Sequence, residues 1–184
     1  MSIAPSLLLS RGEHLSESLT LSLSASPHPV QDAVENFFSR PQWARLYQQE
    51  ILQELSSVLK LRYYHAGDQI IEQGAPPSVC LFIVEGRIEV KKKGLRGERF
   101  VAETPPGRTV CEQSFFDLEP AGAACYAKEN VTLLLLDRES YEKLAFQHPQ
   151  AALLLTQQLA AIISQRLRNM MGKLSELSEG FGIR

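Results

Sequence analysis

Glycines divide the middle of this chain into short apolar or alternating segments. They stand at positions 67, 74, 86, 94, 97, 107 and 122. Each glycine adopts a positive φ at low cost, so the chain can reverse direction at these points. Short strands separated by such turns are typical of an all-β sandwich or barrel. The segments predicted as strands are 69–72, 79–85, 87–92, 99–103, 123–127 and 131–136.

Helical periodicity replaces this pattern on both sides. Between residues 30 and 60 apolar residues recur at helical spacing, and Arg40-Pro41 interrupts them. We predict Pro41 as the first residue of a second helix, with Ser39 as its cap, because proline suits that position. After the strands, Asp137 is predicted to cap a short helix over 138–146.

A longer helix is predicted from Pro149 to about Ser178. One stripe along it, which we call the seam, has members spaced alternately three and four residues apart. The seam consists of Leu153, Thr156, Ala160, Ile163, Leu167, Met170, Leu174, Leu177 and Phe181. This spacing predicts a coiled coil and therefore a homodimer. The alternative is that the first half of the helix packs on the barrel and the rest is a marginal tail.

Residues 1–28 are serine-rich and are predicted to be a mobile tail. Leu19, Leu21 and Leu23 alternate with polar residues, which is the period of a strand. This alternation arises by chance in a disordered tail, or it marks a short strand or docking motif that orders on a partner.

Composition excludes several classes of protein. The 184 residues are 44% hydrophobic, and the longest apolar run, Val79–Val84, is far too short to span a bilayer. No secretory signal is visible. A net charge of −2 argues against a nucleic-acid-binding domain. Three unpaired cysteines (Cys80, Cys111, Cys125) indicate reduced thiols in a cytoplasmic protein. Scattered histidines and the lack of a catalytic motif predict neither a metal site nor an enzyme.

Two glycine-containing stretches carry a resemblance to a known family. They are Gly67–Gly74, with the sequence GDQIIEQG, and Leu81–Val90, with the sequence LFIVEGRIEV. Together with the order helix, barrel, short helix, long helix, they closely resemble the cyclic-nucleotide-binding domain. The resemblance implies an α+β fold, a double-stranded jelly-roll β-barrel over 61–148. Helices at 29–60 and a long C-terminal helix at 149–184 would flank it.

The resemblance also places a phosphate-binding cassette at residues 107–123. In this family a glutamate of the cassette binds the ribose 2′-OH and an arginine pairs with the cyclic phosphate. Glu112 matches the glutamate, whereas Ala121 stands where the arginine belongs. Cys111 replaces a glycine and Arg108 an aspartate. Glu112 also has a plainer interpretation as a surface or capping carboxylate.

Loss of the charge-assisted phosphate contact should weaken cyclic AMP binding roughly ten- to a hundred-fold. Arg108 or Lys128 are candidates to replace the missing charge. In the family, residues about two-thirds along the long helix reach the nucleobase, and these positions fall near Gln165, Arg166 and Leu167. Arg166 and Arg168 are therefore candidates to face an anionic ligand; the alternative is that they are solvated neighbours of the seam. The predicted ligand-binding residues are Gly107, Arg108, Val110, Cys111, Glu112, Gln113, Ser114, Ala121, Gly122, Ala123 and Arg166.

The resemblance therefore predicts a non-enzymatic, dimeric regulatory protein without a cofactor, whose ligand is cyclic AMP, cyclic GMP or a cyclic dinucleotide. It would signal through an unidentified protein partner. Since the chain ends at Arg184, we expect no helix-turn-helix and so no DNA-binding domain. The alternative is an adaptor or scaffold that kept the barrel and lost the ligand.

One further motif lies outside the cassette. Lys91-Lys92-Lys93, Arg96 and Arg99 form a basic hairpin around Gly94 and Gly97. It is either a solvated turn or a surface for an acidic partner or an anionic lipid headgroup.

Overall fold

The computed structural model describes residues 28–76 and 78–180. The predicted tail, with Leu19, Leu21 and Leu23, and the last seam residue, Phe181, lie outside the described residues. The helices are α1 (Pro29–Phe38), α2 (Gln49–Val58), α3 (Glu112–Asp117), α4 (Arg138–Gln147) and α5 (Pro149–Gly180), with a 3-10 turn at Pro41–Trp43. The strands are β1 (Lys60–Tyr64), β2 (Gln69–Ile71), β3 (Val79–Glu85), β4 (Ile88–Gly94), β5 (Gly97–Thr104), β6 (Thr109–Val110), β7 (Ala124–Ala127) and β8 (Val131–Asp137).

The strands form two antiparallel sheets that face each other. One has the order β1-β8-β3-β6 and the other β2-β7-β4-β5. Most neighbouring strands are far apart in sequence; β3, for example, pairs with β8 and β6, whereas β4 and β5 are consecutive and form a hairpin. This arrangement confirms the predicted α+β fold with a jelly-roll barrel between helices.

Strand β3 is buried on both faces, which explains its unbroken apolar sequence. Successive side chains point to opposite faces of a strand. Leu81 and Ile83 therefore fill the barrel interior, together with Ile88 and Leu133. Phe82 lies on the other face, in a second core that the helices share. The cassette lies between the two cores, because Cys111 contacts the first and Phe115 the second.

The N-terminal helical segment differs from the prediction. Pro41 begins a 3-10 turn, and the second helix starts only at Gln49. Ser39 follows α1 as its C-cap, so its predicted role as an N-terminal cap was wrong. The reason is packing: the turn places the indole of Trp43 in the helical core, where it is fully buried.

Asp137 caps α4 as predicted, since its side chain accepts a hydrogen bond from the Ser140 backbone N–H at 2.8 Å. Burial acts to raise the pKa of Asp137, but hydrogen bonds from Lys60 and Ser140 outweigh it and hold the pKa below its usual value. The capping carboxylate is therefore ionised at neutral pH, and its negative charge stabilises the positive N-terminal end of the α4 dipole.

Helix α5 divides into two halves. Ala151, Ala152, Leu155 and Leu159 pack in the helical core. Beyond Arg166 almost every side chain is exposed. Among the described residues, no helix has the length and apolarity needed to cross a membrane.

Candidate functional site

The segment 107–123 reverses direction around the short helix α3. Cys111 precedes α3 with φ +66° and Leu118 follows it with φ +62°. Both are in the left-handed region, which costs a side-chain-bearing residue about 1 kcal/mol or more. The backbone at Cys111 therefore keeps a conformation in which glycine is the least costly residue.

Glu112 is the first residue of α3, and its side chain is only 1% exposed. Its Oε1 accepts a hydrogen bond from Nη1 of Arg166, on helix α5, and the two side chains form an ion pair. The other nitrogen, Nη2, donates to the backbone oxygen of Thr109 at 2.6 Å. The interpretation of Glu112 as a surface carboxylate was therefore wrong.

Two polar atoms beside this ion pair are buried and have no hydrogen-bond partner among the described residues. They are Oε2 of Glu112 and Oγ1 of Thr109. Buried polar groups are almost always paired, and an unpaired one costs about 1–3 kcal/mol. Both atoms thus have unused hydrogen-bonding capacity, although they are buried from solvent.

The N-terminal helices hold the first residue of the segment. The carbonyl oxygen of Gly107 accepts from Nε1 of Trp43 at 3.1 Å and from Nε2 of Gln42 at 2.9 Å. Gly107 has φ +81°, and a Cβ there would lie 2.5 Å from Cδ of Arg40. These contacts were not predicted from the sequence, in which the chain's single tryptophan was the one available signal.

Helix α4 contacts the other end of α3. The guanidinium of Arg138 donates to the carbonyl oxygen of Phe115 and lies 4.4 Å from the centroid of the Phe115 ring. Tyr141, also on α4, packs edge-on against Phe115 with a centroid distance of 5.6 Å. The segment therefore touches α4, α5 and the N-terminal helices at separate points.

Comparison with known proteins shows which domain family this barrel resembles. Residues 61–148 match the family model for the cyclic nucleotide-binding domain. The barrel is a cyclic nucleotide-binding domain. A cyclic nucleotide-binding domain from Methylobacillus flagellatus has the same fold, with a TM-score of 0.67 at 18% identity over 77% of this chain and 94% of that one.

Two relatives are more similar in sequence. Glutaminase 2 of Bradyrhizobium diazoefficiens is 31% identical over 129 residues, which cover 68% of this chain and 20% of the relative. The cyclic AMP receptor protein of Thermus thermophilus is 32% identical over 123 residues, which cover 66% of this chain and 55% of the receptor. The chain thus spans a fifth of the first relative and about half of the second.

Ala121, at the family's arginine position, packs into the barrel core and is 8% exposed. Its backbone N–H donates to Ala75 O at 2.9 Å, and its carbonyl accepts from Gly74 N at 2.7 Å. The cyclic nucleotide-binding domain therefore has no charge at this point of the cassette, and the backbone groups of Ala121 are already bonded.

Lys128 and Arg108 are the two cations predicted as replacements. Lys128 pairs with Glu103 on β5, and Arg108 is exposed. Arg168 bonds to Ser164 and Gln165 of its own helix. The structure brings Arg166 alone of these candidates to Glu112. Of the other predicted residues, Gln113 and Gly122 are exposed, Ser114 and Ala123 are half-buried, and Val110 is buried.

The three cysteines lie close enough to the buried Glu112 carboxylate for its charge to act on their pKa values. A hydrogen bond with Cys125, together with burial, raises the pKa of Cys111 well above its usual value. The same bond lowers the pKa of Cys125. Burial raises that of Cys80 well above the ordinary range. Cys111 is therefore a neutral thiol at pH 7 and not an activated nucleophile.

Proposed function

We propose that this cyclic nucleotide-binding domain is a cytoplasmic, non-enzymatic regulatory module whose signal is movement of helix α5. The observation that supports this most strongly is the ion pair between Arg166 on α5 and the buried Glu112 in the cassette. A ligand that engages either side chain changes the contact that holds α5 to the barrel. Such a switch works because the ligand binds one arrangement better than the other.

The chemistry of the pair favours a cyclic nucleotide with an altered mode of binding. Arginine recognises phosphate as well as carboxylate, so the cyclic phosphate can compete with Glu112 for Arg166. Glu112 is then left to accept hydrogen bonds from ribose hydroxyls, with Oε2 unpaired at present. The charge that the family takes from a cassette arginine would come from α5 instead, because Ala121 supplies none.

Three contacts support the transmission of such a change to a protein partner. Trp43 joins the cassette to the N-terminal helices, Arg138 joins it to α4, and Arg166 joins it to α5. A shift of α3 would directly alter the contacts of Arg138 and Arg166, and the exposed half of α5 would present the result to the partner.

Thermal unfolding with cyclic AMP, cyclic GMP or a cyclic dinucleotide tests the proposal. We expect one of them, at a hundred times its dissociation constant, to stabilise the protein by about 2.7 kcal/mol. For a chain of this size that is a shift of roughly 5–10 °C. In Glu112→Gln the shift should disappear relative to that variant's own melting temperature. The matched control is Glu119→Gln, an exposed carboxylate of the same cassette, which should keep the full shift.

A shift of equal size in both variants would show that the ligand binds outside the predicted site. No shift with any of these ligands at millimolar concentration would favour an adaptor that uses the barrel to bind proteins. The packing of Ala121 into the core and its bonded backbone groups support that second candidate.

We also propose that the protein is a homodimer along the seam. Leu167, Met170, Leu174 and Leu177 are each more than half exposed in the single chain. A second copy would bury them, whereas Thr156, nearer the barrel, is half-buried and bonds to Tyr141 within the chain.

Light scattering should give twice the chain mass of 20.6 kDa. Leu174→Glu should return the protein to monomer, because a carboxylate in the coiled-coil core is costly to bury. The adjacent Ser175→Glu, which lies off the seam, should remain dimeric. A monomeric wild-type protein at 100 μM would overturn the dimer.

A further inference from the structure

The hairpin between β4 and β5 concentrates positive charge in a chain whose net charge is −2. Residues 91–100, which we call the basic hairpin, include five basic side chains and one acidic one. Among the strands that the structure describes, β5 is the edge of its sheet and pairs only with β4. The hairpin is therefore uncovered along one side.

The register of the hairpin distributes the cations over both faces and the tip. Lys92 lies opposite Arg99 and Lys91 opposite Phe100, with Gly94 and Gly97 closing the turn. Cross-strand partners share a face and successive pairs alternate. Lys92 and Arg99 are thus on one face, Phe100 is on the other, and the turn carries Arg96.

Most of this charge is not neutralised. Lys91 is 3.0 Å from Glu89, and the Glu98 carboxylate accepts a hydrogen bond from the Tyr126 hydroxyl at 3.1 Å. Within residues 28–76 and 78–180, however, no ion pair forms to the four other cations of the hairpin. These are Lys92, Lys93, Arg96 and Arg99.

Large apolar side chains stand among these cations. Leu95, at the tip, is fully exposed, and Phe100 is 62% exposed. A bilayer interface accepts an apolar side chain while anionic headgroups bind the surrounding cations. A nucleic-acid backbone would bind the cations and leave Leu95 in water.

We propose that the basic hairpin docks the protein on an anionic phospholipid bilayer. The hairpin enters tip first, so that Leu95 and Phe100 reach the interface while Arg96 at the tip, and Lys92 and Arg99 on the face opposite Phe100, contact the headgroups. The site is independent of the proposed function, since none of its residues belongs to the cassette.

Vesicle co-sedimentation tests this at 50 mM NaCl, with phosphatidylcholine vesicles and with vesicles containing 30% phosphatidylglycerol. Binding should require phosphatidylglycerol and should largely disappear at 500 mM NaCl, because salt screens surface charge. Each charge near an anionic surface changes affinity about fivefold. Arg96→Glu/Arg99→Glu should therefore weaken binding at least about a hundredfold.

The control is Arg45→Glu/Lys143→Glu, which changes net charge equally at exposed positions on the helical side of the chain. It should bind within about tenfold of the wild type. Leu95→Ser/Phe100→Ser should weaken binding at least about tenfold, since it removes the apolar contact. Circular dichroism checks that each variant is folded.

Three results would each overturn the proposal. The first would be a wild-type protein that fails to sediment with phosphatidylglycerol vesicles. The second would be an equal loss of binding in Arg96→Glu/Arg99→Glu and in Arg45→Glu/Lys143→Glu. The third would combine two results: the protein binds duplex DNA more tightly than vesicles, and Leu95→Ser/Phe100→Ser binds vesicles as tightly as the wild type. That last outcome would assign the hairpin to nucleic acid.

Discussion

Replacing Trp43 with alanine should lower the free energy of unfolding by about 3–5 kcal/mol, the usual loss for a large buried aromatic side chain. Trp43 is fully buried, with ring centroids of Phe37, Phe38 and Phe82 within 5.0–5.9 Å. Its Nε1 also donates to the carbonyl oxygen of Gly107. Alanine would leave a cavity among these rings and remove one of the bonds that fix the start of the cassette.

Urea unfolding followed by circular dichroism measures this loss. Trp43→Phe keeps an aromatic ring at this position but removes the N–H and part of the indole volume, so its loss sets an upper limit on the contribution of the hydrogen bond. Gly107 O would still accept from Gln42, so we expect a loss of about 1–2 kcal/mol. Tyr47→Ala, a nearby aromatic that is 46% exposed, should cost less than about 1 kcal/mol. A loss below about 1 kcal/mol in Trp43→Ala would contradict the proposed role of the aromatic cluster.

The same side chain connects stability with function. Because Trp43 is the only tryptophan, its fluorescence reports on the cassette directly. A ligand that moves α3 should change the emission of the wild-type protein even where the melting temperature changes little.

The glycine spacing predicted most of the barrel, because each turn leaves a local signal in sequence. It did not predict β1 and β6. Residues Lys60–Tyr64 are half-buried without alternation, and Thr109–Val110 is only two residues long. Both strands exist because partners far away in sequence, β8 and β3, supply their hydrogen bonds.

The candidate site, too, could be predicted from the sequence only in part. Glu112 could be found from the spacing of the cassette motif, but its burial could not. Its partner, Arg166, is 54 residues away. The resemblance placed Arg166 near the ligand, and only the packing of α5 on the barrel shows that it meets the carboxylate.

Removing the Arg166 guanidinium should give the second large effect on stability. Arg166→Met should lower the free energy of unfolding by about 2–4 kcal/mol, because Glu112 would be left as a buried carboxylate without a cation. This expected loss is smaller than for a fully buried ion pair, since the Arg166 side chain is 37% exposed. Arg168→Met, which loses only bonds within its own helix, should cost less than about 0.5 kcal/mol.

A double-mutant cycle identifies the cause of this loss. If the unpaired charge causes it, Glu112→Gln should restore about 1–2 kcal/mol in the Arg166→Met background, while costing stability in the wild type. Additive losses in the cycle would mean that the two side chains act separately.

Hydrogen exchange on the same variants connects the ion pair to signalling. If Arg166 holds α5 on the cassette, Arg166→Met should speed exchange in the helix around residue 166 and leave the α5 turns that contain Leu155 and Leu159 protected, since those residues remain in the core. A bound cyclic nucleotide that competes for Arg166 should reproduce this local pattern in the wild-type protein. Ligand-induced protection throughout α5 would instead mean that the ligand tightens the contact, and the direction of the proposed switch would be reversed.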